Sequence, residues 1–196
     1  HRLPEQRPRS HAGAVDPFVA LHPDAAHEVE ILQFIMDGIR QDSAPGFANP
    51  LLPKAVLFTA SAGRTSGPVD WVGQGEGNEA FQNYIRDLTV DTGSGNLGAI
   101  GIDYLANNMG AIRNVKIRSG DGRGLAGLWL ARRWPGPCFI KGLTVEGFDY
   151  GIRAGHAQYS VTFEHIVLAQ QKVAGIRNDD NVLVIRGLMS ANAVPA

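Results

Sequence analysis

The sequence contains a single cysteine, Cys138, in 196 residues. That scarcity excludes an internal disulfide framework and any cysteine-cluster metal site. Its neighbours Pro137, Phe139 and Ile140 make it read as a buried thiol, and no spacing supplies the base that a nucleophilic cysteine needs. No apolar run approaches the roughly 20 residues of a membrane-spanning helix, so no membrane association is expected. Charge of one sign is missing too. Eighteen Lys and Arg against 19 Asp and Glu give a net charge of −1, without the basic face that a general nucleic-acid binder needs. No targeting segment is legible, which leaves the compartment open.

Glycine and proline are plentiful, at 24 and 11 residues, beside a hydrophobic fraction of 44%. Such a composition can bury a core and is not that of a disordered chain. The length fits one domain. Residues 1–23, rich in Arg, His and Pro, read as a loose arm. Residues 24–54 read as a helix followed by a linker. Val29, Leu32, Ile35, Met36 and Ile39 fall on one helical face, with Asp24 as N-cap.

From Phe81 onward the chain repeats. The segments beginning at Ile85, Ile112, Ile140, Phe163 and Ile185 share one template: apolar, two polar or small residues, apolar, any residue, then apolar in four of the five. The intervals are 27, 28, 23 and 22 residues. Between them a second unit recurs as Gly101-Ile102, Gly127-Leu128, Gly151-Ile152 and Gly175-Ile176. Periods of this size mean stacked repeats, each burying its apolar face against the next. The alternation is period 2 rather than 3.6, and the leucine-rich-repeat pattern is absent. Variable intervals suit a β-helix, where turns absorb insertions while strands stay in register. The expectation for residues 55–196 is therefore an all-β, right-handed parallel β-helix. It ends directly after a strand, which leads us to expect truncation at the C-terminal side and self-association through an open coil end.

Stacked coils turn distant residues into vertical neighbours about 4.8 Å apart. If Ile102, Leu128, Ile152 and Ile176 point inward, Asp103, Trp129, Arg153 and Arg177 form an outward column. Trp129 offers an apolar plate for a sugar ring, or packs beneath a loop. Arg153 and Arg177 can grip an anionic group with forked hydrogen bonds, or pair with Asp149 and Asp179. The Ile-x-x-Leu segments give a second column, Asp91, Arg118 and Glu146. It reads as a surface ion-pair ladder or as a carboxylate pair about 9.6 Å apart, two rungs at the strand spacing. Asp179 and Asp180 read as turn-capping acids, or as a calcium site. His156 and His165 read as surface residues, the latter stacked with Asp87 and Asn114.

Several phrases between about Ala80 and Ala196 carry a resemblance. They are Gly98 to Asp103 (Gly-Ala-Ile-Gly-Ile-Asp), Gly120 to Gly122 (Gly-Asp-Gly), Gly147 to Ile152 (Gly-Phe-Asp-Tyr-Gly-Ile) and Asn192 to Pro195 (Asn-Ala-Val-Pro). In these the chain resembles the pectate-lyase-like right-handed parallel β-helix superfamily, especially bacterial proteins related to glycoside hydrolase family 28. The resemblance implies a polysaccharide-active enzyme, hydrolase or lyase, on an acidic glycan in an extracellular or periplasmic setting. Of the family's catalytic motifs the chain matches Gly101-Ile102-Asp103, with Ile100 in place of the preceding Asp. Taken with the outward column, the expectation is Asp103 and Asp149 as acid and base, Trp129, Arg153 and Arg177 binding substrate, and no cofactor unless calcium. The family's further motifs are incomplete in this chain: Gly155-His156 is followed by Ala157, and Lys116-Ile117-Arg118 reverses the family's Arg-x-Lys. The rival expectation is a non-catalytic glycan-binding or adhesin-like module, whose columns grip a repeating ligand without an acid–base pair.

Overall fold

Two parallel sheets share the strands unequally, six in one and five in the other. In the computed structural model, residues 20–21, 46–59, 80, 82–106 and 108–196 are described. The expected helix over residues 24–42 lies outside them, as does nearly all of the expected arm. The strands run in chain order: β1 Ala20–Leu21, β2 Lys54–Thr59, β3 Tyr84–Asp91, β4 Ala99–Asp103, β5 Gly110–Arg118, β6 Ala126–Leu130, β7 Cys138–Glu146, β8 Tyr150–Ala154, β9 Val161–Ala169, β10 Ala174–Asn178 and β11 Leu183–Ala191. Even-numbered strands build one sheet in the order β1-β2-β4-β6-β8-β10, and the long odd-numbered strands build the other, β11-β9-β7-β5-β3. The chain passes from one sheet to the other and back with each coil. The result is a parallel β-solenoid of about four turns.

The repeat template has a simple physical origin in the long strands. Ile112, Val115 and Ile117, then Ile140, Leu143 and Val145, then Phe163, Ile166 and Leu168 are all buried. In each strand the third template position has a left-handed backbone: Asp87 (φ 55°), Asn114 (53°), Gly142 (66°), His165 (53°) and Gly187 (73°). A left-handed residue interrupts the alternation, so two consecutive side chains point outward and the strand bends. Cross-strand pairing resumes on either side, as in Arg86 with Arg113 and Leu88 with Val115. Asp, Asn and Gly tolerate this conformation best, which is why the template's second polar place is small or amide-like. His165 sits in the same column, as expected.

In the short sheet, Ile102, Leu128, Ile152 and Ile176 stack in register and face the long strands in a single core. Burying one such side chain contributes about 1.5–3 kcal/mol. The glycine before each has a steric cause. A Cβ on Gly101 would stand 2.7 Å from the Gly127 carbonyl oxygen, one on Gly127 would stand 2.9 Å from that of Gly151, and one on Gly151 would stand 2.6 Å from that of Gly175. Only hydrogen fits. Cys138 lies in the core, and burial pushes its thiol up to about 12. At the far end of the long sheet, Ile185 and Leu188 take positions buried in the earlier coils yet are 39% and 38% exposed. Among the described residues β11 has one neighbour, β9.

Candidate functional site

The outward column expected from the repeats is in register. Phe58 pairs with Asp103, Asp103 with Trp129, Trp129 with Arg153 and Arg153 with Arg177. A second, smaller apolar cluster sits along it: Ala55, Ile100, Ala126 and Trp129, with Phe58 and Tyr150 packed against them. The column is not uniform. Asp103 is 1% exposed and Trp129 8%, whereas the Arg153 and Arg177 side chains are 23% and 46% exposed. The face is closed at β4 and β6 and opens at β8 and β10.

Asp103, expected on the surface, is buried because Arg132 comes down on it from the turn after β6. The Arg132 Nε donates to Asp103 Oδ1 at 2.7 Å, and its Nη2 donates to the Thr59 carbonyl at 2.7 Å. The guanidinium also lies 4.2 Å over the Phe58 ring. Burial raises the Asp103 carboxyl and Arg132 opposes that rise; burial likewise lowers Arg132, against the pull of Asp103. The contact is the geometry of an ion pair, and a guanidinium holds its proton at all ordinary pH, so we read the pair as charged. A carboxylate enclosed this way ties coils together and does not reach a solvent-borne substrate.

Asp149 stands elsewhere. It precedes β8, four residues before Arg153, and β4 and β8 are two rungs apart. At about 3.3 Å per residue along the strand and about 4.8 Å per rung, Asp103 and Asp149 are roughly 16 Å apart. Paired glycosidase carboxyls stand about 5–9.5 Å apart. The expected acid–base pair is therefore not assembled. Asp149 is half-buried, and desolvation raises its carboxyl despite the opposing field of Lys172.

The open rungs hold a compact network. Asp179 accepts from Arg153 Nη2 at 2.9 Å and from Arg177 Nε at 2.9 Å, one guanidinium on each oxygen. The hydrogen bond from Arg177, followed by the charge of Arg153, holds Asp179 below the usual carboxylate range. Arg153 lies 5.0 Å over the Trp129 ring, and both arginines lie 5.7 Å over Tyr150. Arg177 Nη1 donates to the Tyr150 hydroxyl at 3.3 Å. Trp129 is thus covered by Arg153 rather than free as a plate. The expected pairing of an arginine with Asp149 does not occur; both go to Asp179. With both its oxygens engaged by arginines, Asp179 does not present a free acid beside Asp180 for calcium. Among the described residues, no group of three or more His, Cys, Asp or Glu is placed to hold a metal ion.

The ion-pair ladder expected on the long sheet forms only in part: among the described residues Arg118 pairs with Asp91 at 2.8 Å, while Glu146 takes Lys116, also at 2.8 Å, instead of Arg118. Beside it, Asp87, Asn114, Lys116, Gly142 and Thr144 line an open trough of about 380 Å³. Asn114 Nδ2 donates to Asp87 Oδ1 at 3.0 Å, one rung to the next. His156 packs edge-on against Trp134 at 6.2 Å. Sequence reasoning missed Arg132 and Tyr150. Tyr150 was within reach, since it pairs with Ala126 and Ala174 in the same register; Arg132 sits in an irregular turn where no repeat marks it. Among the described residues no helix is long and apolar enough to cross a membrane. Comparisons with protein-family models, with curated proteins and with solved structures find no match.

Proposed function

We propose that this solenoid is a pectate-lyase-like glycan-recognition module that binds an acidic polysaccharide across the open rungs of β8 and β10. The observation that carries the reading is the Arg153–Arg177–Asp179 network over Tyr150. Two guanidiniums share one carboxylate on an accessible face. Arginine forks suit carboxylates and sulfates, and the Tyr150 ring beneath both guanidiniums, with its hydroxyl accepting from Arg177, holds them in place. Rungs stacked at one strand spacing favour a ligand that itself repeats.

The test is binding of polygalacturonate, alginate and a neutral β-glucan by calorimetry, with reducing ends and unsaturated products monitored in parallel. The acidic polymers are expected to bind, the neutral one not, and Arg153→Gln/Arg177→Gln to weaken binding at least tenfold. Equal binding of the neutral glucan, or indifference to the double variant, would sink the reading. A cleaving enzyme is the second reading, favoured by the half-buried Asp149 carboxyl with its raised titration. Release of sugar ends by the wild type, lost in Asp149→Asn, would select it.

A further inference from the structure

A second cluster lies at the opposite end of the short strands, about 13 Å from Arg153 as four residues of extended chain. Pro50, Leu97, Arg123, Gly124, Asp149 and Lys172 line a cavity of about 300 Å³. That volume is at the lower end for small-molecule sites. Its charged members come from three successive coils: Arg123 before β6, Asp149 before β8 and Lys172 before β10. The order is cation, anion, cation.

These residues are fixed by rung-to-rung backbone bonds. Asp149 N–H donates to the Gly124 carbonyl at 2.8 Å, and the Asp149 carbonyl accepts from Val173 at 2.9 Å and from Ala174 at 3.2 Å. Lys172 N–H donates to the Phe148 carbonyl at 3.0 Å. Gly124 (φ 128°) lets the chain close here, since a Cβ would meet the Phe148 ring at 2.7 Å. The side chains, by contrast, are uncommitted. Among the described residues no hydrogen bond reaches the Asp149 carboxylate, and no ion pair within 4 Å joins it to Arg123 or Lys172. Where Asp179 is saturated by arginines, Asp149 is held rigid, half desolvated and free to accept.

We infer that this cavity binds a small hydroxylated carboxylate, a single sugar-acid unit. Arg123 and Lys172 would take its carboxylate from the two flanking coils, and Asp149 would accept a pair of its hydroxyls. A neutral sugar would satisfy Asp149 alone and a simple carboxylate the cations alone, so both halves are needed for full affinity. The inference does not depend on the Arg153–Arg177 face.

The test is a titration followed by nuclear magnetic resonance with three probes: glucuronate, glucose and acetate. Glucuronate is expected to bind at least tenfold more tightly than either of the others, and to shift the amides of Gly124, Asp149 and Lys172. Asp149→Asn and Lys172→Gln are each expected to weaken glucuronate at least tenfold; Lys172 is exposed, so its variant keeps the fold whatever Asp149→Asn does. Glucuronate bound no better than acetate, or binding unmoved by Lys172→Gln, would overturn the inference. Polymer binding without monomer binding refutes the cavity and spares the β8–β10 face, and the reverse result does the opposite.

Discussion

One outward column carries two arginine–aspartate pairings with opposite fates. At β4 and β6, Arg132 and Asp103 are 2% and 1% exposed and the arginine is roofed against Phe58. At β8 and β10, Arg153 and Arg177 share Asp179 in the open. The residue chemistry is alike, although the column supplies the aspartate in the first and the arginines in the second; the surroundings differ. In the closed half the pair serves architecture, because an enclosed charge must keep its partner. In the open half the same chemistry is available to a ligand.

The largest effect should come from breaking the closed pair. Arg132→Met leaves the Asp103 carboxylate enclosed without a cation, and removal of one buried partner costs about 3–5 kcal/mol. Denaturant unfolding should show that loss, and Asp103→Leu/Arg132→Met should recover most of it. If the single variant unfolds like wild type, the closed half is not held by this pair. Next comes Gly127→Ala in the same half. Its methyl would stand 2.9 Å from the Gly151 carbonyl oxygen and against the Val145 side chain, and such overpacking costs about 1–3 kcal/mol. An equally stable variant would show that neighbouring coils can spread.

Arg177→Gln should leave the denaturation midpoint close to that of the wild type, because an exposed ion pair is screened by solvent, while weakening acidic glycan binding. A loss as large as that for Arg132→Met would erase the distinction between the halves. The smallest effect is a pair of titrations. Desolvation raises Asp149 and the Arg177 hydrogen bond lowers Asp179, so carbon-detected resonance should find them on opposite sides of the ordinary aspartate value near 3.9. The signs differ accordingly. What Asp179 contributes to stability is present above the unfolded value and is lost as pH falls through the lower folded one. Asp149 contributes below the unfolded value, and its contribution is lost as pH rises through the higher folded one. Two coincident titrations would contradict both environments.

The stacking of the coils was legible in the sequence because apolar spacing survives changes in loop length. Ile85, Ile112, Ile140 and Phe163 stand one above another although the intervals between them vary. The burial of Asp103 was not legible, because outwardness on a strand does not say whether a neighbouring turn folds over it. Arg132 occupies such a turn, and its partner is 29 residues away. The glycine before each Ile or Leu was visible as a pattern, but its cause, the carbonyl of the coil beside it, belongs to the packed structure. Lys172 and Arg123 went unremarked for a related reason: they lie in turns, where the period that exposes strands fades.

The left-handed bend of the long strands has a consequence for how this molecule can be changed. Asp, Asn, Gly, His and Gly occupy successive bends, so the position constrains backbone shape while leaving the side chain to vary. A ridge of interchangeable residues then runs lengthwise down the solenoid, clear of the core. New groups can be set along it at fixed pitch, one per coil, like pins on a rail.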